Sequence, residues 1–451
     1  MQKYLFKNIS VVNEGHTTIT DVFISRGRIE KIGNSINVIE NVVEIQGEGL
    51  HLLPGIIDDQ VHFREPGLTD KATIHSESKA GVAGGVTSFM EMPNTIPNAL
   101  TQELLENKYA IAARSSLSNY SFYMGVSNTN SDEVLRSNDK KKNICGIKIF
   151  LGSSTGNMLV NKTETLHRIF SESELLIATH CEDEHLISSN YKLLKENKQL
   201  LEPADHPVIR TAEACYSSSA SAIALAKKYG SRLHVLHITS GMEVALFDNK
   251  TPLSKKDITA EVCVHHLHFT SEDYDKLAYL IKCNPAIKST QDKQALWHAL
   301  LNDSFDVIAT DHAPHTLAEK QPPYEHAHAG LPLIQHGLLL MLKYYNEGII
   351  SLERIVEKMS HAVADCFKLE DRGYIREGYF ADLVVLDLKQ RTEVTEQSLL
   401  YKCGWSPLTG ETLPGKITDC FINGNRVYSN DNYGNIIWNE SSRGERLKFN
   451  R

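Results

Sequence analysis

Four residues able to hold a metal ion follow four separate apolar runs: His62 after 56–57, His180 after 175–178, His237 after 233–236 and Asp311 after 307–309. Neutral imidazoles and carboxylates are natural ligands of Zn²⁺, and a hydrolytic zinc site keeps one position open for water. Taken singly, each histidine is better explained as an ordinary hydrogen-bonded polar residue. Their joint recurrence at the same point after successive runs, which no local turn or cap requires, favours a metal centre. Lys148, inside Gly146-Ile-Lys-Ile-Phe-Leu-Gly152, adds a second unusual group, because an ammonium within an apolar strand is costly to bury. Either it snorkels from the strand end to solvent, or burial keeps the amine neutral and lets it add CO₂. The resulting carbamate is chemically a carboxylate and can bridge two metals.

The elements that must position these groups are short apolar runs separated by helix-like segments at 70–84, 185–197, 211–229 and 331–345. Strands alternating with helices imply parallel βα units. Polar groups recur at the C-terminal ends of nearly all the runs: Asp58, Gln60, His62 and Arg64 after the first, Asn94 after 87–90, and Asp311 and His315 after 307–309. A (β/α)₈ barrel builds its active site from such positions, whereas a doubly wound sheet collects ligands near one switch point. The expected α/β fold is therefore a (β/α)₈ TIM-like barrel over residues 53–364. Residues 1–52 carry β-type runs at 9–12, 21–25 and 42–45, and β texture returns at 373–387, 417–423 and 426–428. Residues 1–52 and 365–451 are expected to complete one small β-sandwich domain formed by both termini.

Composition narrows the class further. With 41% hydrophobic and 23% charged residues in 451, disordered, collagen-like and coiled-coil readings fall away. A net charge of -9 argues against general nucleic-acid binding, which needs a basic face. No apolar run approaches the roughly 18 residues of a spanning helix, and the opening MQKYLFKNISVVNEG lacks the apolar core and cleavage site of a secretory signal. A cytoplasmic protein without nucleic-acid or membrane partners is expected. The eight cysteines contain no C-x-x-C and read as buried free thiols. The lysines at 140–142 read as a solvated turn.

Several motifs together resemble the dihydroorotases of the amidohydrolase superfamily. They run from Leu53-Pro-Gly-Ile-Ile-Asp-Asp-Gln-Val-His-Phe-Arg-Glu-Pro-Gly67 through Met90-Glu-Met-Pro-Asn94, Thr179-His-Cys181 and His234-Val-Leu-His237. Glu261-Val-Cys-Val-His-His266, Cys283-Asn-Pro285 and Ala309-Thr-Asp-His-Ala-Pro-His315 continue the pattern. The resemblance implies one or two Zn²⁺ ions held by His62, His180, His237, Asp311 and a carboxylated Lys148. Arg64, Asn94 and His315 match positions that hold a substrate carboxylate, with Asn284, Ala329, Gly330 and the shared His62 as further contacts. The loop wording His326-Ala-His-Ala-Gly330 departs from the family's usual one.

Gln60 is the main departure, since the family's first strand usually carries His-x-His. An amide oxygen is a poorer zinc ligand than imidazole. Two metals with Gln60 ligating weakly or standing off, one metal, or lost catalysis are the three outcomes, and a functioning enzyme ranks first. The implied activity is reversible closure of N-carbamoyl-L-aspartate to L-dihydroorotate in pyrimidine biosynthesis, with Asp311 carrying the proton. Two rivals remain: a hydantoinase- or allantoinase-like cyclic amidohydrolase, and a catalytically silent subunit of an aspartate transcarbamoylase. The expected partners are a small anionic substrate, a second copy in a homodimer, and an aspartate transcarbamoylase. His265 and His266 read equally well as support for metal ligands or as strand-end packing.

Overall fold

The first barrel strand, β1 (Ile56–Val61), is buried over its whole length although it carries Asp58, Asp59 and Gln60. A strand covered on both faces belongs to a parallel sheet wrapped by helices. The computed structural model, which describes all residues except 39–40, 153–156 and 432–433, has that arrangement. Seven strands follow in chain order: β2 (Val86–Glu91), β3 (Asn119–Phe122), β4 (Ile147–Phe150), β5 (Ile177–His180), β6 (Leu233–Val235), β7 (Ile258–Cys263) and β8 (Val307–Ala309).

Neighbours pair in parallel, β1 to β3 in one arc and β4 to β8 in another. Met124–Gly125, just beyond β3, pairs with Ile147 and Lys148 and joins the arcs. Between β8 and β1 the circle closes through the His62 N–H, which donates to the His312 carbonyl at 2.7 Å. Asp58 reinforces the closure by accepting from the Thr310 N–H at 3.2 Å and the Thr310 hydroxyl at 2.5 Å. Burial raises the Asp58 carboxyl to about 8, so this closing group is mostly uncharged at neutral pH.

Helices fall close to the expected segments, at Ile74–Ala83, Glu184–Asn197, Ala212–Tyr229 and Gly337–Asn346. The first starts later than its apolar pattern because Thr73 and Ser76 form a reciprocal cap there. The last starts six residues late because Leu331 pairs with the strand-end segment, the Ala313 N–H donating to its carbonyl at 2.8 Å. Among the described residues no helix is long and apolar enough to cross a membrane. All eight cysteines are free thiols, and seven are buried.

Both termini build one mostly antiparallel sheet of nine strands, as expected. His51–Pro54 stands at its centre, parallel to Tyr4–Asn13 and antiparallel to Leu383–Glu393. Phe6 and Phe421 are three strands apart in the hydrogen-bonded order, which on a flat sheet is roughly 14 Å. Their ring centroids lie 5.3 Å apart, so the sheet folds over on itself around a core that includes Val22, Ile24, Leu52 and Val385. The β run expected from 373 becomes a strand only at Leu383, because Gly373 and Gly378 hold the preceding segment at positive φ. The last residues leave this sheet and return to the barrel, where the Tyr120 N–H donates to the Glu445 carbonyl at 3.0 Å and Leu447 and Phe449 are buried.

Candidate active site at the C-terminal mouth of the barrel

A cavity of about 480 Å³ opens at the C-terminal ends of the strands. Gln60, His62, Arg64, Asn94, Lys148, His180, His237, Asn284, Asp311, His315, Ala329 and Gly330 all line it, so the structure brings together every expected metal ligand and substrate contact. Phe150, Leu159, Glu184, Ala313 and His328 complete the wall. Three of these residues sit just past strand ends with left-handed backbone: Arg64 at φ 67°, His237 at 39° and Asp311 at 46°. Such angles are unfavourable for side chains with a Cβ and persist only where the surroundings enforce them. Here they turn the side chains from the strands into the cavity.

The nitrogen and oxygen donors fall into two close pairs. In the tautomer whose Nδ1 donates to Asn94 Oδ1 at 2.8 Å, the His62 Nε2 lone pair faces Asp311 Oδ1 at 3.2 Å. His180 Nε2 donates to Glu182 Oε2 at 2.9 Å, which leaves its Nδ1 lone pair facing His237 Nε2 at 2.9 Å. His237 Nδ1 is buried without a partner among the described residues. Burial lowers all three imidazoles below their usual range, so they are neutral, ligand-competent bases. An imidazole acceptor aimed at a carboxylate is repulsive unless a proton or a cation lies between them. The donor set therefore fits a metal ion.

Lys148 lies among these donors, 1% exposed, with no hydrogen bond or ion pair among the described residues. Its ammonium position is over the Phe150 ring, 4.6 Å from the centroid, and does not reach solvent as the snorkelling alternative requires. Burial lowers its pKa to about 8, which gives a sizeable neutral amine fraction near neutral pH. Gln60 does not offer its oxygen to this group. Its Nε2 donates to Asp311 Oδ1 at 3.1 Å, while Oε1 faces the Cys263 thiol at 3.9 Å.

The other end of the cavity is cationic. Arg64 is 6% exposed, and no carboxylate lies within ion-pair distance of it among the described residues. Its Nε donates to the Pro314 carbonyl at 3.0 Å and its Nη2 lies 3.0 Å from His315 Nε2. Burial lowers even this guanidinium to about 10. Lys71 approaches the other face of the His315 ring, with Nζ 3.2 Å from Nδ1, and is itself paired with Glu319 at 2.6 Å. Asn284 accepts from His206 Nε2 at 3.1 Å. A buried guanidinium with no carboxylate in ion-pair distance, beside an imidazole and amides, is suited to a planar anion.

Sequence patterns alone did not single out Glu182, Lys71 or Lys320. Glu182 is fully buried, and its Oε2 also takes the Arg210 guanidinium at 2.5 Å, so it orients the His180 ring and is in turn held in place. Only its position two residues after His180 at a strand end signalled a role. Three further groups bring ligand-type atoms within 4.8 Å of one another: Cys263–His265–His266, Asp59–His234–Glu261 and His315–Glu319–His328. His265 and His266 do not line the cavity. His266 Nε2 donates to the Pro285 carbonyl at 3.1 Å.

Fold and site together define an α/β-barrel hydrolase whose strand-end donors suit a metal ion. Residues 51–427 match the amidohydrolase family, and the chain belongs to it. It is 31% identical over 434 residues to a dihydroorotase of Ligilactobacillus salivarius, covering 95% of this chain and 99% of that protein. An allantoinase of Solibacter usitatus is 30% identical over 444 residues, 96% of this chain and 94% of that protein. The solved L-hydantoinase of Arthrobacter aurescens has a TM-score of 0.89 at 25% identity, covering 95% of this chain and 96% of that one. Its relatives thus span several cyclic-amide hydrolases. The run Leu151-Gly-Ser-Ser-Thr-Gly156 lacks the tyrosine expected there in hydantoinase-like proteins, and its residues 153–156 lie outside the described residues.

Proposed function

We propose that this chain is a zinc-dependent dihydroorotase, interconverting N-carbamoyl-L-aspartate and L-dihydroorotate plus water at the ring-closing step of pyrimidine synthesis. The observation that carries this reading is Arg64, buried at the cavity wall without a carboxylate partner among the described residues. Dihydroorotate brings a carboxylate to neutralise it. The uncharged rings of hydantoin and allantoin bring none.

His62, His180, His237, Asp311 and a carbamylated Lys148 would hold the metal. Zinc, when bound there, supplies Lewis-acid polarisation of the ring carbonyl and makes water a competent nucleophile at neutral pH. The neutral Lys148 amine would attack CO₂ through its lone pair and lose a proton, giving a carbamate able to serve as a further carboxylate-type ligand. Arg64 and His315 grip the substrate carboxylate, and the Asn94 amide donor, free of other bonds among the described residues, adds a third contact. Asp311 takes a proton from the attacking water in the hydrolytic direction and returns it to the departing ring nitrogen. In synthesis the same carboxylate works in reverse, as microscopic reversibility requires.

The direct test compares turnover of dihydroorotate with hydantoin and allantoin by the purified, zinc-loaded chain. Dihydroorotate should be the preferred substrate by a wide margin. Activity on hydantoin alone overturns the assignment, and an inactive, zinc-free protein that activates an aspartate transcarbamoylase favours the silent-subunit alternative.

A further inference from the structure

Ala329 and Gly330 line the cavity from a loop with no regular secondary structure. What holds them is a lysine behind the wall. Lys320 is 2% exposed, and its three ammonium donors go to three backbone carbonyls: Lys282 at 2.9 Å, His328 at 2.8 Å and Gly330 at 2.9 Å. No carboxylate lies within ion-pair distance of it among the described residues. An ammonium so placed is expensive to desolvate, and saturating all its donors is what makes the site tolerable.

The same knot is tied from other directions. The Gly330 N–H donates to the Lys282 carbonyl at 2.8 Å, and the His328 N–H to the Glu319 carbonyl at 2.8 Å. Lys282 in turn donates to the carbonyls of Tyr324 at 2.6 Å and Ala327 at 2.7 Å. Two buried ammonium groups thus bind five backbone carbonyls, four of them in 324–330. On the cavity side, His315 Nε2 lies 3.1 Å from the Ala329 carbonyl oxygen. Gly330 is at φ 142°, and a Cβ there would stand 2.4 Å from the Ala313 carbonyl and 3.1 Å from His315 Cδ2. The loop backbone is pressed directly against the carboxylate-binding histidine, so its position is transmitted to that residue. The Ala329 N–H makes no hydrogen bond among the described residues, which leaves a donor at a fixed place on the wall.

We infer that Lys320 is a positioning residue for substrate binding, which acts by clamping the Ala329–Gly330 backbone and, through it, His315 at the anion end of the cavity. It touches no reacting atom. The inference rests on the function proposed above for the identity of the substrate.

The test uses the full zinc-loaded chain and two variants. In Lys320→Met all three donors are lost; Lys320→Gln keeps part of the donor capacity. KM for dihydroorotate should rise at least tenfold in the methionine variant with kcat changed less than threefold, and the glutamine variant should fall between it and the parent. Amide hydrogen exchange at His328 and Gly330 should accelerate while the barrel strands keep their protection. An unchanged KM, a fall in kcat alone, or unaltered exchange at those amides overturns the inference. If the methionine variant does not fold, the glutamine variant carries both readouts; failure of both to fold assigns Lys320 to the fold instead. A parent enzyme that turns over only hydantoin would sink the dihydroorotase reading, and the Lys320 comparison would then be read from KM for hydantoin.

Discussion

The Gln60 amide donates to Asp311 Oδ1 at 3.1 Å across 251 residues of sequence. A residue that lacks an imidazole thus occupies a place on the first strand by bonding the carboxylate proposed to move the proton. Its own oxygen faces the Cys263 thiol at 3.9 Å. Replacing it by histidine exchanges this donor for a lone pair. Gln60→His should tighten the weaker zinc equivalent by roughly tenfold or more, a difference of about 1.4 kcal/mol. Metal content per chain at buffered zinc concentrations measures it. Equal stoichiometry and affinity in parent and variant would show that Gln60 stands outside the metal site.

Arg64 offers charge-assisted hydrogen bonds to a carboxylate, each worth about 1.5–3 kcal/mol. Arg64→Met should therefore raise KM for dihydroorotate by about 10- to 150-fold. Any residual turnover of a neutral ring such as hydantoin should change far less. Steady-state kinetics on both substrates separate loss of anion binding from general damage.

Asp311→Asn keeps the size of the side chain and removes its basicity. Turnover should fall by at least about 10²-fold, the usual contribution of a positioned acid–base group. Zinc should stay largely bound, and retained activity would remove Asp311 from the proton-transfer role.

Glu182→Gln leaves the His180 ring without its carboxylate partner and Arg210 without its charge partner. Loss of such an outer hydrogen bond typically lowers metal affinity by about 10- to 100-fold. Competition with a chromogenic chelator reads that loss independently of catalysis.

His361 carries a pH dependence of stability far from the cavity. Its Nδ1 donates to the Gly373 carbonyl at 2.6 Å, its Nε2 accepts the Glu14 N–H at 3.0 Å, and the ring stacks on Tyr374 at 4.2 Å. The bond accepted from Glu14 requires the neutral ring, and burial lowers the His361 pKa below the ordinary value of about 6.5. Since the unfolded chain takes up the proton first, the contribution is complete above about pH 6.5 and is lost as pH falls through the folded-state pKa. The urea midpoint of the parent minus that of His361→Gln should thus shrink between pH 7.5 and pH 5.5. A constant difference would refute it.

Much of the site was legible because the chemistry follows the chain's own periodicity. Polar residues that come directly after apolar runs must gather at one end of a parallel barrel, so His62, Lys148, His180, His237 and Asp311 meet in one cavity whatever the details of packing. The folded-over terminal sheet was likewise visible as β texture at both ends of the chain. Periodicity specifies which face or end a side chain occupies, but not which distant residue it will meet. Lys71 and His315 are 244 residues apart, and Asp58 and Thr310, which close the barrel, are 252 apart. Tertiary structure alone decided that Gln60 bonds Asp311, that Glu182 orients His180, and that Lys320 holds the loop beside His315. It also left Arg64 buried with no carboxylate in ion-pair distance among the described residues, an electrostatic state that depends on everything packed around it.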